Sequence, residues 1–132
     1  MTSALQLPTP LGSASGWQLA DYLDLSLVSQ PADASGTAIA TGRQLDLSEL
    51  WLIDHMVCSC PTSSPNTALR LYSGQIGAGF LLDGSDSGSF DVADWPNGLQ
   101  LQPTRQLVAV WTGCTPGDRG SLTLQARALR RV

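Results

Sequence analysis

The chain has 132 residues, with 7 Lys+Arg against 11 Asp+Glu and a net charge of −4; this is the length of one domain with its own core. The balance argues against nucleic acid as a partner, because phosphate binding needs clustered positive charge. No apolar run reaches the roughly 18–20 residues of a membrane span, so no membrane partner is expected.

Charged residues make up only 14% of the chain, every base is arginine, and Glu49 is the sole glutamate. Without Lys and Glu, long solvent-facing helices are hard to build. Ser, Thr, Gly and Asp fill the polar positions and favour turns and strand faces. An all-β domain follows. No basic stretch followed by an apolar run opens the chain, so a secretory signal is not expected. Three cysteines, an odd number, argue against a disulfide framework and for synthesis in a reducing cytoplasm.

The first segment, 1–16, carries no charge and has prolines at positions 8 and 10. Proline disfavours helix in itself and in the residue before it, so the segment reads as extended. Leu5, Leu7 and Leu11 are unusual in a solvated tail. Two readings stand: a frayed terminus, or an arm whose leucines contact a neighbouring subunit. The domain plan is an N-terminal arm over 1–16 and a β-sandwich over 17–132.

Period-two alternation then recurs, the mark of half-buried strands. Leu23, Leu25 and Leu27 share a face, although Trp17–Val28 could instead open with a helical turn. Leu45 and Leu47 alternate with Gln44 and Asp46, Leu69 and Leu71 with Arg70 and Tyr72, and Leu99 and Leu101 with Gln100 and Gln102. Leu122, Leu124, Ala126 and Ala128 oppose Thr123, Gln125 and Arg127.

Two segments are apolar on both faces. Over Leu50–Cys60, simple alternation sets Trp51, Ile53 and Val57 against Leu52, Met56 and Cys58. Over Arg105–Thr112, Leu107, Ala109 and Trp111 oppose Val108 and Val110. Such strands are central in a sandwich or covered by a second subunit. Turn signals fall at 30–33, 60–66, Asp83-Gly84, Pro96-Asn97-Gly98 and 115–118. Seven to nine short strands at this spacing predict a single β-sandwich, with a jelly roll among the topologies allowed.

Nothing in the pattern marks catalysis. His55 follows Asp54 directly, and neighbours on a regular strand point to opposite faces. Gly84-Ser85-Asp86-Ser87-Gly88 has aspartate where a nucleophile elbow has serine. Cys58, Cys60 and Cys114 with His55 lack zinc-ligand spacing, so the thiols read as small buried apolar groups, although Cys60 and Cys114 could pair late. Asp83–Asp94 overlays weakly on a calcium loop, with serines at two carboxylate positions and no flanking helices; a structural connection is the plainer account. No cofactor is implied. Trp51 and Trp111 read as core. Trp95, beside Pro96-Asn97-Gly98, is a candidate ligand-facing aromatic, with an edge-covering role the plainer account. Arg127, Arg130 and Arg131 read as a solvated or salt-bridged end.

Three sets of residues carry a resemblance. They are Leu50-Trp51-Leu52-Ile53; Leu82-Asp83-Gly84 with Gly88 and Phe90-Asp91-Val92-Ala93-Asp94; and Leu107 through Gly113 with Pro116-Gly117. From Leu50 onward the chain resembles small β-sandwich virion proteins of tailed phages infecting actinobacteria. The resemblance implies a non-enzymatic structural protein, either a capsid decoration protein or a minor tail or fibre-associated protein; Trp95, Tyr72 and the Asp83–Asp94 acids motivate, as the alternative, a carbohydrate- or receptor-binding role. It further implies assembly in the host cytoplasm, location in the virion, and a homo-oligomer, a trimer favoured, bound to the major capsid protein or to tail proteins. It brings no catalytic residues.

Overall fold

The computed structural model describes residues 16–62 and 66–132. Among them are eight strands: β1 Trp17–Val28, β2 Ala38–Thr41, β3 Glu49–Ser59, β4 Ala68–Ser73, β5 Leu81–Ser85, β6 Phe90–Leu101, β7 Leu107–Thr112 and β8 Ser121–Arg131. A short 3-10 turn, Ala78–Phe80, precedes β5. The all-β expectation holds. The arm leucines Leu5, Leu7 and Leu11 lie outside the described residues.

The strands form two antiparallel four-stranded sheets, ordered β1-β8-β3-β6 and β2-β7-β4-β5. Eight strands wound in that order are a jelly roll, in which every sequential connection but β4–β5 crosses from one sheet to the other. Facing the sandwich interior, β8 sends in Leu122, Leu124, Ala126 and Ala128, while β7 sends in Leu107, Ala109 and Trp111. Val108 and Val110 on the opposite face of β7 are also buried, as expected of a central strand. Trp111 packs against Gly120, where an added Cβ would lie 2.3 Å from the indole ring. Only hydrogen fits there.

Simple alternation fails in β3, and the reason is a bulge. The register shifts between Ile53 and His55 against both β8 and β6, leaving Asp54 as the extra residue. A bulge of one residue moves every later side chain to the other face. Trp51 and Ile53 therefore point inward before the bulge, and Met56 and Cys58 after it, while Val57 faces outward.

Three other expectations are corrected. Leu45 and Leu47 are not on a strand: Leu45 is buried from an irregular segment whose N–H reaches the Arg105 carbonyl, and Leu47 sits 72% exposed in a turn. Trp17–Val28 is strand throughout, with a bulge between Leu19 and Asp21 and no helical turn. Asp83-Gly84 and Pro96-Asn97-Gly98 lie within β5 and β6 rather than between strands. In β6 the four residues 95–98 oppose the single bulged Asp54, so the backbone detours without ending the strand.

That detour builds a second small core on the outer face of the β1-β8-β3-β6 sheet. Leu50, Leu52 and Leu129 are buried there, with Trp17 packed against them. Gly98 has φ +83, and a Cβ on it would come 2.7 Å from Leu52 Cβ. A left-handed glycine is what lets the detour close over Leu52.

Candidate functional site

Three regions differ from the rest of the surface: the outer face of the β1-β8-β3-β6 sheet, the edge between β5 and β6, and a polar hollow beside β7.

The outer face is read from the pairing register. One cross-strand row is Asp24, Gln125, His55 and Asp94; the next is Ser26, Thr123, Val57 and Val92; the last is Val28, Ser121, Ser59 and Phe90. The last two rows contain no charge. They expose Val28 at 60%, Phe90 at 62% and Val92 at 45%, set among small hydroxyl side chains. Charged residues border this band on one side: His55 Nδ1 lies 2.7 Å from Asp94 Oδ1, and Arg127 donates to both oxygens of Asp54 at 3.0 and 2.7 Å. The bulge thus gives Asp54 and His55 separate partners. Asp94 is 71% exposed, so the His55 pair is an open surface contact and not a desolvated acid–base site.

The edge between β5 and β6 is closed by side chains reaching across the two sheets. Trp95 Nε1 donates to Asp83 Oδ2 at 2.7 Å, and Ser85 Oγ donates to Asp91 Oδ2. The Ser85 contact is the main cause that lowers the Asp91 carboxyl below its ordinary range. Behind these bridges lies a cleft of about 50 Å³ lined by Met56, Cys58, Leu69 and Leu71. It is far below the roughly 300–1,000 Å³ of a ligand pocket. Trp95 therefore stands half-buried with its ring against the core and its N–H engaged, as an edge-covering aromatic does.

The acids of 83–94 point to different places. Asp83 serves Trp95, Asp91 serves Ser85, Asp86 pairs with Arg70 at 2.8 Å, and Asp94 meets His55. Their places on β5, on the turn after it and on opposite faces of β6 separate them, and no group of three metal-ligating side chains occurs among the described residues. The C-terminal arginines are likewise engaged. Arg130 reaches Asp46 at 3.3 Å, and the Arg131 guanidinium stacks 4.5 Å from the centre of the Trp17 ring.

One depression escaped the sequence reading. Gln44, Gly74, Gln75, Thr104, Arg105 and Gln106 line a polar hollow of about 370 Å³ beside β7. Gln44 Nε2 donates to the Thr104 carbonyl, and Thr104 holds φ 68, uncommon outside glycine. Arg105 lies 5.4 Å over the Phe80 ring. These residues come from three separate connections and share no sequence spacing, so no motif announces them.

No family model matches this chain, and no curated protein matches it. Among solved structures, the chain is similar to the K3 adhesin domain of Lys-gingipain from Porphyromonas gingivalis. The identity is 16% over 77% of this chain and 71% of that chain, with a TM-score of 0.42. It is also similar to the structure of tomato aspermy virus, at 11% identity over 99% and 88% of the two chains and a TM-score of 0.40. A third likeness is to the virus-like particle of the Macrobrachium rosenbergii extra small virus, at 13% identity over 96% and 86% and a TM-score of 0.40. Likenesses this distant assign no role to any residue here. The fold rests on the chain's own strand order.

Proposed function

We propose that this protein is a non-enzymatic virion structural component, a decoration protein that oligomerises on a phage head. The observation that carries the proposal is the charge-free band of Ser26, Val28, Val57, Ser59, Phe90, Val92, Ser121 and Thr123 across one sheet face. Surfaces meant to stay solvated carry charge, and subunit contacts shed it. The segment 1–15 is also uncharged, contains Leu5, Leu7 and Leu11, and precedes β1, an edge strand of this sheet. In this reading the arm of one copy lies along the band of the next. Such head-to-tail contacts close into a ring, of which a trimer is the smallest that is not a pair. A ring on a repeating lattice then binds by avidity.

The test is solution mass together with binding to capsids from phage lacking this gene. A trimer that binds such capsids is expected. Val57→Arg/Val92→Arg and Leu5→Ser/Leu7→Ser/Leu11→Ser variants are expected to be folded monomers with at least tenfold weaker binding. A stable monomer with no affinity for capsid or tail would sink the proposal.

The polar hollow at Gln44, Gln75, Thr104, Arg105 and Gln106 favours a second reading, a tail-associated module that holds a hydroxyl-rich ligand. Neutral amides and an arginine beside an aromatic ring suit sugar hydroxyls better than an ionic ligand. A glycan-array signal lost in Gln106→Ala and kept in Trp95→Phe would support it. No signal on host cell-wall glycans would count against it.

A further inference from the structure

Cys60 follows the end of β3 in one sheet, and Cys114 follows β7 in the other. Their sulfurs stand 3.8 Å apart, both cysteines are buried, and 54 positions separate them in sequence. Both backbones are held. The Cys60 N–H donates to the Ser89 carbonyl, and the Cys114 N–H donates to the Gly36 carbonyl, each at 3.0 Å. Thr62 fastens the surroundings: its hydroxyl donates to Asp118 Oδ2 at 2.8 Å and accepts the Thr115 N–H at 3.0 Å. Cys58 is set apart, two residues earlier on β3, where it lines the cleft at the β5–β6 edge.

The geometry points to Cys60 and Cys114 as an oxidation site whose disulfide staples the two sheets of the sandwich together. A disulfide needs sulfurs at about 2.05 Å, which side-chain rotation supplies when two thiols already touch. The oxidant is a small-molecule disulfide such as oxidised glutathione. One cysteine thiolate attacks a glutathione sulfur, forming a mixed disulfide and expelling one glutathione thiolate. The second cysteine then loses its proton to solvent, attacks the bound cysteine sulfur and expels the second. Two protein thiols become one disulfide, and one oxidised glutathione becomes two reduced molecules. Burial pushes the Cys114 thiol up to about 11, with the neighbouring Cys60 sulfur adding to it, so the Cys114 thiolate is scarce at neutral pH. A chain made in a reducing compartment therefore folds with free thiols and is locked after release. The inference stands on the sandwich alone, independent of any particle.

The test uses the full chain, held in oxidised glutathione at mildly alkaline pH and compared with a reduced sample. Trypsin places Cys58 and Cys60 in segment 44–70 and Cys114 in segment 106–119. A crosslinked pair of these peptides is expected, with fragmentation locating the link at Cys60 and an alkyl label on Cys58. The melting temperature is expected to rise by roughly 10 °C, as closing a loop of this length predicts, and dithiothreitol is expected to reverse it. Three alkylated cysteines, glutathione adducts alone, or a link through Cys58 would overturn the inference.

Discussion

Glu49, the only glutamate in the chain, is buried at 3% exposure and clasped by Arg43 through hydrogen bonds of 2.9 and 2.7 Å. Trp51 Nε1 donates to the same carboxylate at 3.1 Å, and Arg43 lies 5.5 Å from the centre of the Trp51 ring. One ion pair thus orients a core tryptophan and ties the segment before β3 to the strand itself. The bidentate arginine, with the indole adding and burial opposing, holds the carboxyl at about 2 against an ordinary 4.5.

Because the folded value is depressed, its stabilisation is full above pH ~4.5 and disappears as pH falls toward 2. The shift corresponds to about 3 kcal/mol, reduced to about 2 because Arg43 is 58% exposed and screened by solvent. Urea titrations from pH 6 down to pH 2 are expected to show that loss. Glu49→Gln is expected to remove about 2 kcal/mol at pH 6 and flatten the acid limb. Equal slopes in the two proteins would refute the assignment.

Leu52→Ala is expected to cost about 2–3 kcal/mol, as an interior leucine does, although Leu52 lies on the outer face of its sheet. The cover provided by Gly98 and the 95–98 detour is the reason. A change below 0.5 kcal/mol in thermal or chemical denaturation would show that this cover does not form.

Gly120→Ala is expected to destabilise by about 2–3 kcal/mol, because the new methyl meets the Trp111 ring, which is 0% exposed and has no room to retreat. The variant Gly120→Ala/Trp111→Phe is expected to lose less than the sum of its two single changes. Additivity in denaturant unfolding would mean the ring and the glycine do not touch.

The paired leucines of β1, β4 and β8 were legible because burial of one sheet face imposes period two on the sequence. Trp51 and Trp111 were legible as core for a different reason, because each lies in a run apolar on both faces. Leu45 and Leu47 misled, since two leucines on alternate positions also fit an irregular segment in which only one finds the core. The Asp83–Asp94 acids suggested a single loop, yet Asp83 lies on β5, Asp91 and Asp94 on β6 and only Asp86 in the turn between them, so they reach different partners. The role of Glu49 could have been suspected, because a lone glutamate beside a both-face apolar run has no solvent-facing pattern to join.

Chain-level information determined the all-β class, the central place of β7 and the scarcity of charge, because these depend on local periodicity and composition. Tertiary structure alone decided the jelly-roll order, the flip of face after Asp54, the closeness of Cys60 to Cys114 and the polar hollow beside β7. Each of these arises where segments distant in sequence meet, and a bulge or a crossing between sheets leaves no fixed spacing behind it.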